Sequence, residues 1–211
     1  MTIPIYHITA IHNLPSIINS RGIMPHNRLH EAKISYTNIA YEHIQDRRAN
    51  KSVPCGVGGV LHDYVPFYFA PRSPMLCTIN RGNVEISQGQ QQILHLVTTA
   101  EIISNAGLAY TYTDGHAVME YSRFYDNIEY LDCFDDIIDW EIMKSKYWSN
   151  TEDDPDRKRR RQAEFLVDQF FPWNLVTDIG VINSTIQYQV NKLLLKSVHK
   201  PNILVRPDWY Y

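Results

Sequence analysis

An acidic residue interrupts an apolar strand pattern near position 164. In the run Ala163-Glu-Phe-Leu-Val, the period of two predicts that Ala163, Phe165 and Val167 share one face of a strand. Glu164 then falls on the other face. A carboxylate in a cleft can stabilise a developing positive centre or accept the proton of a sugar hydroxyl. The structural alternative is an ion pair with one of the five cations that directly precede the strand.

Those cations form the run Arg157-Lys-Arg-Arg-Arg161, which follows Tyr147 and Trp148. Cations among aromatic rings favour single-stranded nucleic acid, because the phosphates are neutralised while the bases stack. The alternative is a solvated face that nearby acids partly neutralise. These acids are Glu152, Asp153, Asp154 and Asp156.

Three further side chains have the chemistry to bind a polar ligand. His7 stands in the first predicted strand, either as a packed strand residue or as a hydrogen-bonding group for a ligand ribose or amide. Arg47 and Arg48 could clamp a pyrophosphate, which suits the fork of guanidinium donors. Otherwise they belong to a solvated helix face and pair with Glu42 or Asp46.

Composition narrows the class of protein. The 211 residues are 44% apolar and 20% charged, with a net charge of −3, which excludes a disordered or fibrous chain. A nucleic-acid ligand would therefore need a local basic patch. The 14 tyrosines and 4 tryptophans are numerous for this length and favour a site for flat or sugar-bearing ligands.

Several common motifs do not occur in the sequence. The glycine loop at Gly56 and Gly58 has Leu61 where a dinucleotide-binding fingerprint needs glycine, so we expect no Rossmann phosphate loop. The spacing of histidines, cysteines and acids predicts no metal site. We also expect no signal peptide and no membrane span, and hence a cytoplasmic protein.

The elements that must position the candidate residues are short. Runs rich in β-branched and aromatic residues predict strands over residues 3–9, 64–70, 92–97, 108–115 and 163–168. Pro66 would place the second of these at a sheet edge or a bulge. Helices are predicted over residues 13–22, 41–49, 98–103 and 184–195. Together these elements predict an α+β protein.

Local signals mark two of the helix ends. Asn13 suits the N-cap of the first helix, and Gly22 suits its C-terminal stop. Thr98-Thr-Ala-Glu101 has the spacing of a capping box. Residues 119–162 form a long segment between two predicted strands, and its acidic residues precede its basic ones. Its first acids are Asp132, Asp135, Asp136, Asp139 and Glu141.

Three blocks of sequence follow one another along the chain. The first holds Ile5-Tyr-His-Ile-Thr, Asn13-Leu-Pro-Ser-Ile-Ile and Arg21-Gly-Ile. The second holds Asp46-Arg-Arg-Ala and Leu61-His-Asp-Tyr-Val-Pro-Phe-Tyr-Phe-Ala-Pro-Arg-Ser-Pro-Met, and the third is Arg161-Gln-Ala-Glu-Phe-Leu-Val. In this order the blocks resemble the DarT family of DNA ADP-ribosyltransferase toxins, over nearly the whole chain.

The resemblance implies an ADP-ribosyltransferase fold, in which a split, mostly antiparallel β core with small helices holds NAD in a cleft. It implies a single domain over residues 1–211, with residues 25–55 covering NAD and residues 119–162 forming the substrate-recognition loop region. The implied reaction uses no metal and transfers ADP-ribose from NAD onto a base of single-stranded DNA. The long proline-rich block and the compact length resemble the thymine-modifying branch more than the guanine-modifying one.

The family also implies a partner, a macrodomain antitoxin of the DarG kind. The alternatives that stay open are a guanine, RNA or protein target and a non-enzymatic module that binds single-stranded nucleic acid. A nicotinamide-release assay separates the enzymes from the binding module.

The resemblance assigns roles to individual residues. Glu164 matches the catalytic glutamate, and His7 and Thr9 match contacts to the nicotinamide side of NAD. Arg48 matches an arginine that assists NAD or the target base, with Arg47 as the alternative. Further NAD contacts are expected from Asn13, Ser16 and Gly22. Contacts to DNA are expected from Tyr68, Met75, His116, Trp148, Arg157 and Lys158.

Overall fold

A computed structural model describes residues 2–40, 42–84, 89–131 and 137–211, and most of its strands form one sheet. The strands are β1 (Pro4–Ala10), β2 (Gly22–Ile23), β3 (Tyr64–Tyr68), β4 (Ile93–Thr99), β5 (Tyr110–His116), β6 (Phe124–Tyr125), β7 (Ala163–Asp168), β8 (Phe171–Pro172), β9 (Asp178–Val181) and β10 (Asn202–Val205). Eight strands lie in the order β10-β9-β4-β1-β3-β7-β5-β6, antiparallel except for β10 with β9. The separate pair is β2 with β8. The predicted α+β class and mostly antiparallel core are confirmed.

The sheet is split in its middle, between β1 and β3. All seven residues of β1 pair with β4, whereas the register of β1 with β3 consists of the single pair Tyr6 with Tyr68. Beyond that pair, the His7 Nδ1–H donates to the Pro66 carbonyl across 2.9 Å. The prediction that Pro66 marks a sheet edge is wrong. An interior strand accommodates this proline because its pairing with β1 is so short that no extended ladder needs the missing N–H.

Short helices connect the strands. They are α1 (Leu14–Asn19), α2 (His26–Glu31), α3 (Glu42–Asn50), α4 (Pro74–Asn80), α5 (Ala100–Asn105), α6 (Trp140–Lys144), α7 (Arg157–Arg160) and α8 (Ser184–Leu193). Single 3-10 turns cover Ile11–Asn13, Leu61–Asp63, Gly89–Gln92, Ile128–Leu131, Trp173–Leu175, Leu194–Lys196 and Pro207–Trp209. Each predicted strand and helix is present, with ends shifted by a few residues. Tyr41, at the predicted start of the second helix, lies outside the described residues, as do Asp132, Asp135 and Asp136.

The predicted helix signals are partly wrong. The first helix ends at Asn19, and Arg21 takes the positive φ of 59° while Gly22 belongs to β2. Gly22 is required for another reason, since a Cβ there would overlap the Phe170 ring. The Asn13 side chain makes no cap hydrogen bond.

The capping box at the start of α5 is also different from the prediction. Thr99 is the cap, and its hydroxyl accepts from the Ile102 N–H. Glu101 instead accepts from the Ile3 N–H, at 3.0 and 3.1 Å. The spacing therefore predicts the start of the helix correctly. It predicts the wrong partner for the Glu101 carboxylate, because Glu101 accepts from the N–H of Ile3, which is remote in sequence.

The core lies on both faces of the sheet and follows the period of two. Ile5, Phe67 and Phe165 point to one face, where the cluster includes residues of α1, α5 and α8. Tyr6 and Ile8 point to the other face, where the cluster includes residues of α4 and of the 207–211 segment. Both layers hold β1 and β3 in place at the split.

Candidate active site

A cleft of about 640 Å³ opens at the split between β1 and β3. Its lining comes from both faces of the sheet, since consecutive residues of β1 contribute to it. Thirteen of the residues predicted from the sequence line the cleft: His7, Thr9, Asn13, Ser16, Gly22, Arg47, Arg48, Tyr68, Met75, His116, Trp148, Lys158 and Glu164. Arg157 is not part of this lining. Residues distant in sequence therefore meet in one place.

Glu164 lies on β7 directly opposite Tyr68 of β3 and is only 3% exposed. Its Oε2 lies 2.7 Å from Arg48 Nη1, and its Oε1 accepts from the Ala117 N–H across 3.3 Å. The Glu164 N–H in turn donates to the Thr113 hydroxyl. The carboxylate is thus held at a fixed position by two donors, and each oxygen keeps lone pairs for a ligand hydroxyl.

Arg48 reaches this carboxylate from α3, 116 residues away in sequence. It is 8% exposed, so a solvated helix face is wrong for this residue. The alternative that paired Glu164 with the basic run is wrong as well, since its partner is Arg48. Arg48 Nη2 is buried with no hydrogen-bond partner in the described part of the chain. A buried unpaired donor at a cleft is costly without a ligand and suits a ligand oxygen.

Arg47 reaches the same cleft on a different path. Its Nη2 donates to the Val118 carbonyl across 3.1 Å and lies 3.8 Å from Met119 Sδ. The structure thus separates the two arginines: Arg48 contacts Glu164, while Arg47 contacts the segment that follows β5. Of the two, Arg48 has the geometry of a group that acts with the carboxylate.

Two histidines of the cleft are neutral at physiological pH. Burial lowers the pKa of His116 to about 4, an effect that Arg48 and Arg47 reinforce and Glu164 opposes. Burial likewise lowers the pKa of His7. Because the His7 Nδ1–H donates to a carbonyl, its Nε2 carries a lone pair and can accept from a ligand hydroxyl.

Tyr68 stays protonated beside the carboxylate. Burial raises its pKa first, and the charge of Glu164 raises it further. The phenol is therefore a hydrogen-bond donor at neutral pH. Met75, at the start of α4, adds an apolar and polarisable surface to the same wall.

Asn13 has a structural contact that the sequence did not predict. Its Oδ1 accepts from the Thr37 N–H across 2.7 Å, and its Nδ2 donates to the Thr37 carbonyl and to the Thr9 hydroxyl. These contacts hold the loop around residue 37 against β1, at the side of the cleft. Asn13 thereby fixes part of the segment predicted to cover a ligand.

The basic run is largely committed to internal contacts. Arg159 pairs with Asp114 and Asp156, and Arg160 pairs with Asp139 and Asp154. Arg161 is buried and donates to the carbonyls of Ile142, Met143 and Arg72.

The first two cations of the run differ from the rest. Arg157 donates to the Tyr147 carbonyl and Lys158 lines the cleft, and in the described residues neither pairs with a carboxylate. The predicted neutralisation by Asp154 and Asp156 therefore applies to the later cations. Arg157 and Lys158 keep their charge for a ligand.

Sequence reasoning missed one pair of residues in the cleft and one contact made to its lining from outside. His26 and His62 have ring centroids 4.2 Å apart, and they bond to Tyr36 and Gln45 respectively. Tyr211 accepts from the Trp148 indole N–H across 3.1 Å. No local pattern marks these contacts, because they join segments far apart in the chain.

The arrangement suits chemistry at a cationic carbon. A buried carboxylate, a neutral imidazole and an unpaired guanidinium N–H face one space, and fixed polar groups of this kind stabilise developing charge without reorganisation. In the described residues, no group of three or more histidine, cysteine or acidic side chains could hold a metal ion.

The split sheet and the buried carboxylate in its cleft suit an ADP-ribosyltransferase. The family model described as "ssDNA thymidine ADP-ribosyltransferase, DarT" matches residues 6–211. The chain therefore belongs to the DarT family, and the resemblance of the sequence blocks is confirmed.

Relatives from Thermus sp. agree with this family over nearly their whole length. A DNA ADP-ribosyl transferase from Thermus sp. (strain 2.9) is 43% identical over 99% of this chain and 96% of its own. A solved structure of Thermus sp. 2.9 DarT in complex with ADP-ribosylated ssDNA superposes with a TM-score of 0.91, at 42% identity, covering 99% of this chain and 96% of the other. A second structure, in complex with NAD+, has a TM-score of 0.85 at 39% identity, covering 99% and 98%.

A more distant relative carries a second activity in its name. It is a "DNA ADP-ribosyl transferase-DNA ADP-ribosyl glycohydrolase fusion protein" from Thermosipho africanus, 27% identical over 97% of this chain and 48% of the relative. About half of that protein thus lies outside the region of similarity.

Proposed function

We propose that this protein transfers ADP-ribose from NAD onto a base of single-stranded DNA and releases nicotinamide. The observation that carries the proposal is the Glu164–Arg48 pair, buried in a cleft of about 640 Å³ at the split of the sheet. The relatives from Thermus are named for this activity, and their solved complexes contain NAD+ or ADP-ribosylated ssDNA.

The residues of the cleft fit NAD as a co-substrate. The unpaired Arg48 Nη2 is a donor for a ligand oxygen, and the neutral His7 is an acceptor for a ribose hydroxyl. Thr9 and Ser16 line the same wall, and Gly22 allows the chain to pass closely beneath Phe170. We assign the segment 25–55 to covering NAD, because Asn13 ties it to β1 through Thr37.

NAD supplies an anomeric carbon whose bond to nicotinamide breaks with cationic character. Glu164 faces that centre, stabilises the positive charge and accepts from the ribose hydroxyl beside it. Arg48 pairs with the carboxylate and orients it. Tyr68, a protonated donor directly opposite Glu164, holds a polar atom of either substrate.

The base then forms a bond to the same carbon and loses one proton. We assign thymine as the base, in agreement with the description of the family. Its ring nitrogen is a poor nucleophile while protonated, so a base must accept the proton. His116, neutral because burial lowers its pKa to about 4, and Glu164 are the two groups placed for this step.

DNA enters along the side formed by residues 119–162, whose residues 132–136 lie outside the described part. Trp148 and Lys158 line the cleft there, and Met75 lies on its wall. A ring for stacking and a charge without a carboxylate partner are the two groups that single-stranded DNA requires. Arg157, just outside the cleft, extends this charge along the backbone.

The bulky ADP-ribose group on a base would obstruct base pairing until it is removed. The Thermosipho fusion joins a transferase to a DNA ADP-ribosyl glycohydrolase. We therefore assign this protein the role of a cytoplasmic toxin, with a DarG-like macrodomain glycohydrolase as its antitoxin. Within the described chain, no helix is both long enough and apolar enough to cross a bilayer.

Mass spectrometry of defined oligonucleotides tests the reaction. Purified protein is incubated with NAD and short strands that contain or lack thymine. The expected result is a mass increase of one ADP-ribose on thymine-containing strands, with one nicotinamide released per modification, and none with the Glu164→Gln variant. Modification of strands whose only base is guanine would instead assign the protein to the guanine-modifying branch of the family. Nicotinamide release without any modified strand, or DNA binding without release, contradicts the proposal.

A further inference from the structure

An exposed aromatic ring stands at the cleft, outside the apolar core. Tyr121 is 61% exposed and lines the same cleft as Glu164. A single exposed ring is common on protein surfaces, so exposure alone does not assign it a role. The position of Tyr121 beside Glu164 and Lys158 in the cleft lining is what makes it a candidate for ligand contact.

The ring is backed by a fixed cation. Arg159 Cζ lies 5.3 Å from the centroid of the Tyr121 ring, and Asp114 and Asp156 each hold this guanidinium at 2.7 Å. Gly115 permits the approach, because a Cβ there would overlap Arg159 Nη1 and lie 2.9 Å from its Cγ and Cζ. One face of the ring is thus occupied and the other remains open.

The backbone that carries the ring is equally constrained. The Ser122 hydroxyl donates to the His116 carbonyl across 2.8 Å, and the Met119 N–H donates to the same carbonyl across 2.9 Å. Arg159 also bonds to Ser122, at 3.3 Å. This turn directly follows Ala117, whose N–H contacts Glu164. Tyr121 is therefore positioned relative to the carboxylate by a short, hydrogen-bonded path.

We propose that Tyr121 is a stacking platform for the nucleobase next to the one that is modified. The inference rests on the proposed function and adds a residue that positions the DNA strand. A base stacked on the open face would gain from the aromatic contact, and Lys158 in the same cleft would neutralise a backbone phosphate. Every base has an aromatic face, so this contact orients the strand with little sequence preference.

The chain offers a matched control. Tyr188 on α8 is also 61% exposed and also has a cation against its ring, with Lys192 Nζ at 4.4 Å from the centroid. It lines a different depression, between α8 and β10. Tyr188→Ala therefore removes the same atoms from the same kind of environment, away from the cleft.

The test measures binding and modification of a fluorescent thymine-containing oligonucleotide by the wild type, Tyr121→Ala, Tyr121→Phe and Tyr188→Ala. We expect Tyr121→Ala to bind DNA about 5- to 150-fold more weakly and to show a matching rise in KM for DNA. Tyr121→Phe and Tyr188→Ala should stay within about twofold of the wild type, since a ring suffices for stacking.

A second pair of oligonucleotides identifies the contact. One strand has an abasic position on the 5′ side of the target thymine, and the other has it on the 3′ side. On the strand that lacks the base stacked on Tyr121, the wild type and Tyr121→Ala should bind equally. An equal loss by Tyr121→Ala on all three strands indicates a structural role and overturns the proposal, as does wild-type binding by Tyr121→Ala. If the wild-type protein binds DNA but never modifies it, only the proposed function is refuted. The comparison of binding between the wild type and Tyr121→Ala then still tests whether Tyr121 stacks on a base. No binding by the wild type refutes both.

Discussion

The proposed reactive part of this protein is a buried ion pair at an open cleft. Glu164 and Arg48 are both nearly inaccessible to solvent and lie 2.7 Å apart, so each charge is neutralised mainly by the other. Removing one partner leaves an uncompensated charge in a poorly solvated place. The same isolation makes the carboxylate effective toward a positive centre, because little water screens it.

Replacement of the Glu164 carboxylate by an amide tests the role of its charge independently of the size of the side chain. Glu164→Gln keeps the size of the side chain, but it loses the negative charge that stabilises the cationic centre. We expect the rate of DNA modification to fall by a factor of at least about 10²–10³. The measurement is single-turnover modification of an oligonucleotide. Glu101→Gln changes a carboxylate that does not line the cleft, and it serves as the control with a rate near that of the wild type.

The pH dependence of the reaction reports on His116. Burial lowers its pKa to about 4, so the imidazole is neutral above that pH and can accept a proton. We expect the acid limb of modification rate against pH to have its midpoint near 4, with circular dichroism to verify folding at each pH. His116→Gln should be slower throughout and lack this limb. A midpoint near 6.5, the ordinary value, contradicts the assignment.

At the scale of elements, β5 and α7 position the site together. The register of β5 on β7 shifts between Tyr112 and His116, and this irregularity brings the Ala117 N–H to Glu164. Arg159 of α7 packs over Gly115 within the shifted segment. Within the basic run, Arg159 therefore stabilises the geometry of β5 beside the cleft.

Gly115 is the residue on which this packing depends. Its backbone is not in the left-handed region, so alanine costs little conformational strain and the expected effect is steric. We expect Gly115→Ala to lower the free energy of unfolding by about 1–3 kcal/mol and to reduce activity, because Arg159 and the β5 irregularity must shift.

A double-mutant cycle checks that cause, with denaturant unfolding as the measurement. Arg159→Ala in the Gly115→Ala background removes the overlapping side chain, so the double variant should lose less stability than the sum of the single variants. Strict additivity would show that the methyl group disturbs something else.

At the scale of the whole molecule, folding keeps several histidines neutral. A lowered pKa is found for His7, His26, His62, His95 and His116. Burial is the first cause for each. Such a group binds its proton in the unfolded chain near pH 6.5 but in the folded chain only at lower pH. Stability is therefore greatest above pH 6.5 and is lost as pH falls through this interval.

His95 allows this linkage to be measured at one site. It is fully buried, its pKa is lowered to about 4, and its Nε2 donates to the Pro71 carbonyl. We expect the free energy of unfolding to decrease between pH 6.5 and 4 by up to ~1.4 kcal/mol per pH unit from this group. His95→Gln keeps a donor and should flatten the dependence by that amount. An unchanged slope in the variant disproves the contribution of His95.

The amino-acid sequence alone determined the local features. Alternation of apolar residues predicted β7 and placed Glu164 apart from Phe165, and the strands and helices follow from similar short patterns. The order of the three sequence blocks identified the family. These properties depend on neighbouring residues, whose spacing can be read directly from the chain.

The tertiary structure alone determined the partner and the protonation state of the charged and titratable side chains named here. Arg48 is the partner of Glu164, and Arg159 is bound to Asp114, although the sequence allowed other pairings. His116 is neutral because of burial, which no local pattern reports. The physical reason is that ion pairing and desolvation depend on distances between groups remote in sequence, and folding sets those distances.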